Sequence, residues 1–149
     1  MPAGYAERKE ERKRMMNKKE EAIKLHDKKY NCAQAVACAF AKETGVDEKI
    51  LFQANEGFGL GMGGTQGVCG ALSGAVMLAG FKNSDGNTDN PATKGSTYQL
   101  SRQMLEAFEA KTGSTICKEL KGLESKKVLC SCSDCIRAGV EVVEEVLGL

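Results

Sequence analysis

Apolar residues recur along this chain at helical spacing, and no run alternates apolar and polar residues for long enough to predict a strand. Residues 5–29 are highly charged, with one sparse apolar stripe that predicts a long, mostly solvated helix. Residues 31–44 are apolar almost all round and stop at Gly45, so this second helix belongs in the core. The stripe on the first helix consists of Met15, Met16, Ala22, Ile23 and His26.

A shorter helix and then a glycine-rich segment follow. Asp47 provides the N-cap of the short helix, which Gly57 ends. Beyond the glycines, Thr65 or Gln66 begins an apolar helix that continues through residues 68–81. Its many small residues let neighbouring helices approach its backbone closely. We therefore expect an all-α fold, a compact bundle of about five to six helices around this buried Gly/Ala-rich helix, with a glycine-rich loop.

The C-terminal half carries three more predicted helices. Pro91 suits the first turn of a helix that ends at Gly113. A short helix over residues 115–121 follows, with Ser114 or Thr115 as its cap. A final amphipathic helix closes the chain, and its apolar face is formed by Ile136, Val140, Val143 and Leu147.

Length and composition restrict the class of protein. A chain of 149 residues is expected to form a single domain, with residues 1–14 as a frayed extension of the first helix. A formal charge of +1 and 42% hydrophobic residues predict a soluble globular protein and no nucleic-acid partner. The longest apolar run is shorter than the roughly 20 residues that cross a bilayer. Charged residues occupy the start of the chain, where a signal peptide is apolar, so we expect a cytoplasmic protein without membrane insertion.

Seven cysteines are many for a reduced compartment, and their odd number fits poorly with a closed set of disulfides. Metal or redox chemistry is the first expectation, although Cys38, inside the apolar stretch AVACAFA, is expected to be a buried packing residue. Four others fall at predicted helix starts: Cys32, Cys69, Cys117 and Cys135. A helix N-terminus favours thiolate over thiol. If these four starts converge, they would stabilise a group of thiolates or an anionic iron–sulfur centre.

The sequence around these cysteines resembles a small family of redox-active proteins, the C_GCAxxG_C_C family, which is marked by a CGAxxG motif and four spaced cysteines. The matching stretches are YNCAQAV, CGALSG, GSTICKELKG and the late Cys135, and the likeness covers nearly the whole chain from Tyr30 onward. It implies redox chemistry at Cys32, Cys69 with Gly70, Ala71 and Gly74, Cys117 and Cys135. The chain is also similar to part of some multi-cofactor cytochromes from anaerobes, but it contains no CxxCH motif for haem attachment.

The fourth cysteine of this set is open, because Cys130, Cys132 and Cys135 form CxCxxC, which lies partly outside the family pattern. The CxxC spacing within it is familiar from zinc sites and dithiols. Cys132 or Cys130 can therefore replace or supplement one of the four.

Three mechanisms fit these thiols. The favoured one is an iron–sulfur cluster for electron transfer or redox sensing, bound by Cys32, Cys69, Cys117 and Cys135 with a backbone shell from Gly64, Gly67 and Gly70. The second is a thiol–disulfide oxidoreductase with no cofactor and with Cys69 as the nucleophile. The third is a structural zinc protein. Whether the protein is an enzyme stays open between them.

Other chemistries find little support. Gly59, Gly61 and Gly64 match the GxGxxG dinucleotide fingerprint, but no predicted strand precedes them. His26 is the only histidine, so any Cys–His dyad would need it, and a surface or groove-filling role is the ordinary alternative. A redox partner is expected without its identity being readable, and a homodimer is compatible with the long charged first helix.

Overall fold

The computed structural model describes Gly4, Ala6 and residues 17–149, and within them the chain is helical, as the sequence predicts. The extended pairing in this part of the chain is one isolated antiparallel bridge, between Val68 and Ile116. Met15, Met16 and most of the predicted frayed segment lie outside the described residues. Among the residues that the structure describes, no helix combines the length and the apolar character that a bilayer crossing requires.

Asn31 and Asp47 are N-caps as predicted, but Phe40 divides the single helix predicted over residues 31–44, so residues 17–55 form four helices. They are α1 (Lys18–Asp27), α2 (Cys32–Ala39), α3 (Ala41–Thr44) and α4 (Glu48–Asn55). Asn31 caps α2 in a reciprocal capping box. The Asn31 side chain accepts a hydrogen bond from the Gln34 N–H, and the Gln34 side chain accepts one from the Asn31 N–H. Gly45 ends α3 with a left-handed backbone, as predicted.

The later helices are α5 (Gly70–Asn83), α6 (Lys94–Thr112), α7 (Cys117–Lys121) and α8 (Cys132–Val142), which continues as a π-helical segment, Val143–Leu147. The predicted starts of α5 and α6 are wrong. Helix α5 begins after Cys69, not at Thr65 or Gln66, because Thr65 has a left-handed φ of 68°. Pro91 lies in the loop before α6 and not in its first turn.

Helix α5 is the centre of the bundle, as its small residues predict. It packs against α2, α6 and α8. A Cβ added at Gly74 would lie 2.5 Å from the carbonyl oxygen of Ala33, so glycine is needed where α5 crosses α2. This crossing brings the start of α2, with Cys32, close to the start of α5, with Cys69.

Candidate functional site

The glycine-rich segment between α4 and α5 folds into a tight, irregular loop. After a 3₁₀ turn (Glu56–Phe58), the segment Gly59–Met62 is broken by left-handed backbone angles at Leu60 and Gly61. A Cβ at Gly61 would lie 2.4 Å from the Cβ of Cys117 and 3.2 Å from its sulfur. Glycine at this position therefore leaves room for the Cys117 side chain as well as permitting the turn.

Backbone hydrogen bonds attach this loop to the start of α7. The Cys69 N–H donates to the Thr115 carbonyl at 2.8 Å, and the Cys117 N–H donates to the Gly67 carbonyl at 3.0 Å. The Lys118 N–H reaches the Thr65 carbonyl at 3.0 Å. These bonds hold the loop before α5 against the start of α7, which brings Cys69 and Cys117 to one place.

A cavity of about 250 Å³ lies where these elements meet, and six of the seven cysteines line it. They are Cys32, Cys69, Cys117, Cys130, Cys132 and Cys135. The structure thus brings together the four cysteines predicted from helix starts and both members of the extra pair. Cys38 lies elsewhere, with its sulfur 3.8 Å from the Glu48 carbonyl oxygen.

Cys69 and Cys135 form a contacting pair. Hydrogen bonding with the Cys135 side chain is the largest cause that lowers the pKa of Cys69 to about 7, against the opposing effect of burial. The Cys135 sulfur also lies 3.8 Å from the carbonyl oxygen of Cys130. The backbone N–H groups of Ala71 and Leu72, in the first turn of α5, and the charge of Lys121 lower the pKa of Cys69 further. The same hydrogen bond to Cys69 raises the pKa of Cys135 well above its usual range. Cys69 is therefore the proton-poor member of the pair.

A second pair consists of Cys32 and Cys132, which line the same cavity and interact strongly enough for Cys132 to shift the pKa of Cys32. Burial, followed by the neighbouring Cys132, raises the pKa of Cys32 to about 12. The ammonium nitrogen of Lys121 lies 3.4 Å from the Cys132 sulfur, and the charge of that sulfur is the main cause that raises the pKa of Lys121. Lys121 is thus a cation placed between the two thiol pairs.

The remaining predicted residues take varied positions. Burial raises the pKa of both Cys117 and Cys130. Of the three glycines expected as a backbone shell, Gly70 lies on the cavity wall and Gly67 positions Cys117 through its carbonyl. Gly64 is exposed and lies outside the lining.

Two further side chains lie on the cavity wall: Lys121, which sequence reasoning missed, and His26, for which the sequence predicts a surface or groove-filling role. Lys121 follows Cys117 by four residues, the spacing of one helix face, and this spacing was a readable signal. The Nδ1 of His26 lies 2.9 Å from the Tyr30 carbonyl oxygen, which can only accept, so Nδ1 carries the hydrogen. The histidine ring fills part of the wall, which agrees with the groove-filling role.

Within the described part of the chain, no three His, Cys, Asp or Glu side chains are grouped closely enough to hold one metal ion. The cysteines on the wall interact as Cys69 with Cys135, Cys135 with Cys130, and Cys32 with Cys132.

The arrangement of spaced cysteines around a CGAxxG turn is matched by a family model described as "Putative redox-active protein (C_GCAxxG_C_C)" over residues 30–146. The chain belongs to this family. All six cavity cysteines lie inside the region matched by the C_GCAxxG_C_C model, whereas His26 precedes it. The family's name prints Gly-Cys-Ala, and this chain has Cys69 before Gly70 and Ala71. No curated protein and no solved structure matches the chain.

Proposed function

We propose that the protein is a thiol–disulfide redox protein whose working pair is Cys69 and Cys135, with Cys69 as the nucleophile. One observation carries the proposal: Cys69 and Cys135 lie on the wall of one cavity, where the Cys135 side chain is the main cause that lowers the pKa of Cys69 to about 7. Thiolate, not thiol, attacks a disulfide, and an attacking thiol works best when its pKa is near the ambient pH.

The chemistry is a two-electron exchange with a disulfide substrate. The Cys69 thiolate attacks one substrate sulfur, breaks the substrate's S–S bond and forms a mixed disulfide. Cys135 then loses its proton and attacks the Cys69 sulfur, which releases the second substrate sulfur as a thiolate. The products are a Cys69–Cys135 disulfide and a substrate dithiol, and the reverse sequence oxidises a dithiol substrate.

The charge on Cys69 is stabilised by groups that are in place before the reaction. The N–H groups of Ala71 and Leu72 in the first turn of α5 favour the thiolate of Cys69, and Lys121 contributes a positive charge from the cavity wall. Because these donors sit on α5 and α7, they need no rearrangement when the thiol ionises.

An iron–sulfur cluster is the second candidate function, and the presence of two thiol pairs on one cavity favours it. A [2Fe–2S] cluster is held by four cysteine thiolates. Cys32, Cys69, Cys132 and Cys135 would hold it here, with Cys117 beside them, and this donor set of four cysteines on one cavity wall fits such a group. When bound, the cluster would supply one-electron transfer. In this arrangement Cys132 is the cluster ligand in place of Cys117, which the sequence analysis predicted as a ligand.

Metal analysis followed by redox titration separates the two functions. Protein purified without oxygen is analysed for iron, sulfide and zinc, and its visible absorption spectrum is recorded. Metal-free protein is then equilibrated with a dithiothreitol redox buffer, alkylated and mapped by mass spectrometry. We expect a Cys69–Cys135 disulfide that disappears in Cys69→Ser and Cys135→Ser and persists in Cys38→Ser. Stoichiometric iron and sulfide with visible absorption would favour the cluster, and an absent Cys69–Cys135 disulfide would contradict the dithiol.

A further inference from the structure

The proposed working pair is too deeply buried for a protein substrate to reach. Cys69 is 6% exposed and Cys135 is 3% exposed. A small disulfide can enter the cavity, but a folded partner needs a thiol at the surface, because the attacking sulfur, the attacked sulfur and the leaving sulfur must come into line. Cys32, Cys130 and Cys132 are the half-buried thiols of the cavity, so the route to the surface must run through one of these side chains.

Two of these half-buried thiols have neighbours that lead to the buried pair. Cys130 lies beside Cys135, whose sulfur is 3.8 Å from the Cys130 carbonyl oxygen, and Cys132 lies close enough to Cys32, and Cys32 to Cys69, for their charges to interact. The contact with Lys121 distinguishes Cys132 from Cys130. Cys132 has the Lys121 ammonium at 3.4 Å, which stabilises negative charge on its sulfur. The sulfurs of Cys132, Cys32 and Cys69 therefore form a sequence of neighbours from the half-buried rim to the buried pair.

We propose that Cys132 is the thiol that exchanges with partner proteins, and that Cys132 and Cys32 form a second redox pair which passes electrons to or from the buried Cys69–Cys135 pair. This relay rests on the proposed dithiol function of Cys69 and Cys135. The partner is a protein that carries an accessible disulfide or dithiol. Cys132 lies outside the four-cysteine pattern of the family resemblance, so the relay is a property of this chain's additional cysteine.

Each step of the relay is a thiol–disulfide exchange that balances on its own. Cys132 attacks the partner disulfide and releases one partner thiolate. Cys32 then attacks the Cys132 sulfur, which releases the second partner thiolate and forms a Cys32–Cys132 disulfide. Cys69 attacks the Cys32 sulfur and frees Cys132, and Cys135 attacks the Cys69 sulfur and frees Cys32. In sum, the partner gains two electrons and two protons, and Cys69 and Cys135 lose them.

Lys121 is a positioning residue in this scheme. Its ammonium contacts the sulfur of Cys132 and not the substrate, and it stabilises the charge that this sulfur carries when it attacks or leaves. Arginine preserves the positive charge, whereas methionine keeps a similar length and removes the charge.

The test compares a large and a small probe on reduced, full-length protein without oxygen. The large probe is a folded protein with one surface cysteine carried as a mixed disulfide with 5-thio-2-nitrobenzoate, whose release is coloured. The small probe is hydroxyethyl disulfide, scored by mapping the Cys69–Cys135 disulfide. Cys132→Ser is expected to abolish the reaction with the large probe and to retain Cys69–Cys135 oxidation by the small one. Cys130→Ser removes the competing half-buried cavity thiol and is expected to react with both probes. Cys38→Ser, outside the cavity, is the control for thiol removal.

The outcomes distinguish a failure of the relay from a failure of the proposed Cys69–Cys135 dithiol function. If the small probe forms no Cys69–Cys135 disulfide in the unaltered protein, the proposed function fails. If that disulfide forms but Cys132→Ser still reacts with the large probe at the original rate, or Cys130→Ser is the variant that loses this reaction, the relay is wrong. In Cys32→Ser, the large probe should remain trapped on Cys132 as a mixed disulfide, and its immediate passage to Cys69 would also overturn the relay.

The role of Lys121 has its own readout. Lys121→Met is expected to slow the reaction with the large probe by roughly fivefold, and Lys121→Arg should restore most of it. Equal slowing by both substitutions would show that the lysine acts only through packing, and an unchanged rate in Lys121→Met would remove it from the relay.

Discussion

Cys38 and Cys69 are buried to almost the same extent but are held in opposite states. Cys38 is 5% exposed and Cys69 is 6% exposed. Burial and the nearby Glu48 raise the pKa of Cys38 to about 12, whereas the pKa of Cys69 is lowered to about 7. The difference comes from their partners, because the Cys38 sulfur faces a carbonyl oxygen and the Cys69 sulfur receives hydrogen bonds. Burial alone does not decide whether a cysteine is reactive in this protein.

Position in a helix accounts for part of that contrast. Cys38 is near the end of α2, where carbonyl groups and not N–H groups are free, while Cys69 is the N-cap of the fourteen-residue α5. The N–H groups of Ala71 and Leu72 in the first turn of α5 therefore lower the pKa of Cys69, and Cys135 from α8 makes the largest contribution. A helix start and a second thiol act together at Cys69, and neither is present at Cys38.

The largest expected effect is loss of redox function at one of these cysteines only. Cys69→Ser should abolish the formation of the Cys69–Cys135 disulfide, because serine has no thiol to form it. Cys38→Ser should retain the full yield, since Cys38 lies outside the cavity. Thiol titration and disulfide mapping after equilibration with dithiothreitol buffers measure both. Equal behaviour of the two variants would remove the distinction between a reactive and a packing cysteine.

Helix packing provides the next largest effect. Gly74→Ala would place a Cβ 2.5 Å from the Ala33 carbonyl oxygen, so α2 and α5 must separate at a cost of about 1–3 kcal/mol in unfolding free energy. Gly80→Ala in the same helix meets nothing within 4 Å and should be neutral or stabilising by about 0.5–1 kcal/mol. Urea denaturation measures both. A destabilised Gly80→Ala with an unaffected Gly74→Ala would contradict the close helix crossing.

Removing the hydrogen-bond donor should make Cys69 more like Cys38. In Cys135→Ala the pKa of Cys69 should rise by about one unit or more, because its largest pKa-lowering contact is lost while burial remains. At pH 7, alkylation of Cys69 should slow by roughly tenfold. Site-resolved alkylation across a pH series tests this, with Cys38→Ala as the matched thiol deletion. An unshifted pH profile for Cys69 would show that α5 alone lowers the pKa.

The smallest effect is on the pH dependence of stability. The raised folded-state pKa keeps Cys38 protonated in the folded protein. Its contribution to the free energy of unfolding is therefore complete below the unfolded-state pKa near 9 and is lost as pH rises toward about 12. Cys38→Ala should make the alkaline loss of stability shallower by about 1.4 kcal/mol per pH unit. Cys69 acts in the opposite sense, since its lowered pKa stabilises the fold above pH 9 and this is lost as pH falls through about 7. Parallel stability curves for Cys38→Ala and the unaltered protein would refute the assignment.

Much of the fold could be predicted because its signals are local. The capping box at Asn31, the left-handed Gly45 and the small residues of α5 each act within a few residues of the chain. The start of α5 was misplaced by a non-local cause. Hydrogen bonds from Cys117 and Lys118 hold the preceding loop in a conformation that local propensity does not predict.

The candidate site was predictable in its membership but not in its pairing. The cysteines at helix starts could be identified from the capping residues that precede them in the sequence. The structure places these four, Cys32, Cys69, Cys117 and Cys135, on the wall of one cavity. That Cys69 contacts Cys135, and that Cys132 contacts Cys32 and Lys121, depends on how α2, α5, α7 and α8 pack. Side-chain neighbours across four helices are set by tertiary packing, which spacing along the chain does not encode.

The most direct test is the alkylation rate of individual cysteines in the unaltered, reduced and metal-free protein, measured from pH 5 to 11 by mass spectrometry. The midpoint of each profile reports the pKa of that thiol independently of how accessible it is. We predict a midpoint near pH 7 for Cys69 and no midpoint below pH 10 for Cys38. A Cys69 midpoint at or above the ordinary value near 9 would contradict the assignment of Cys69 as the nucleophile.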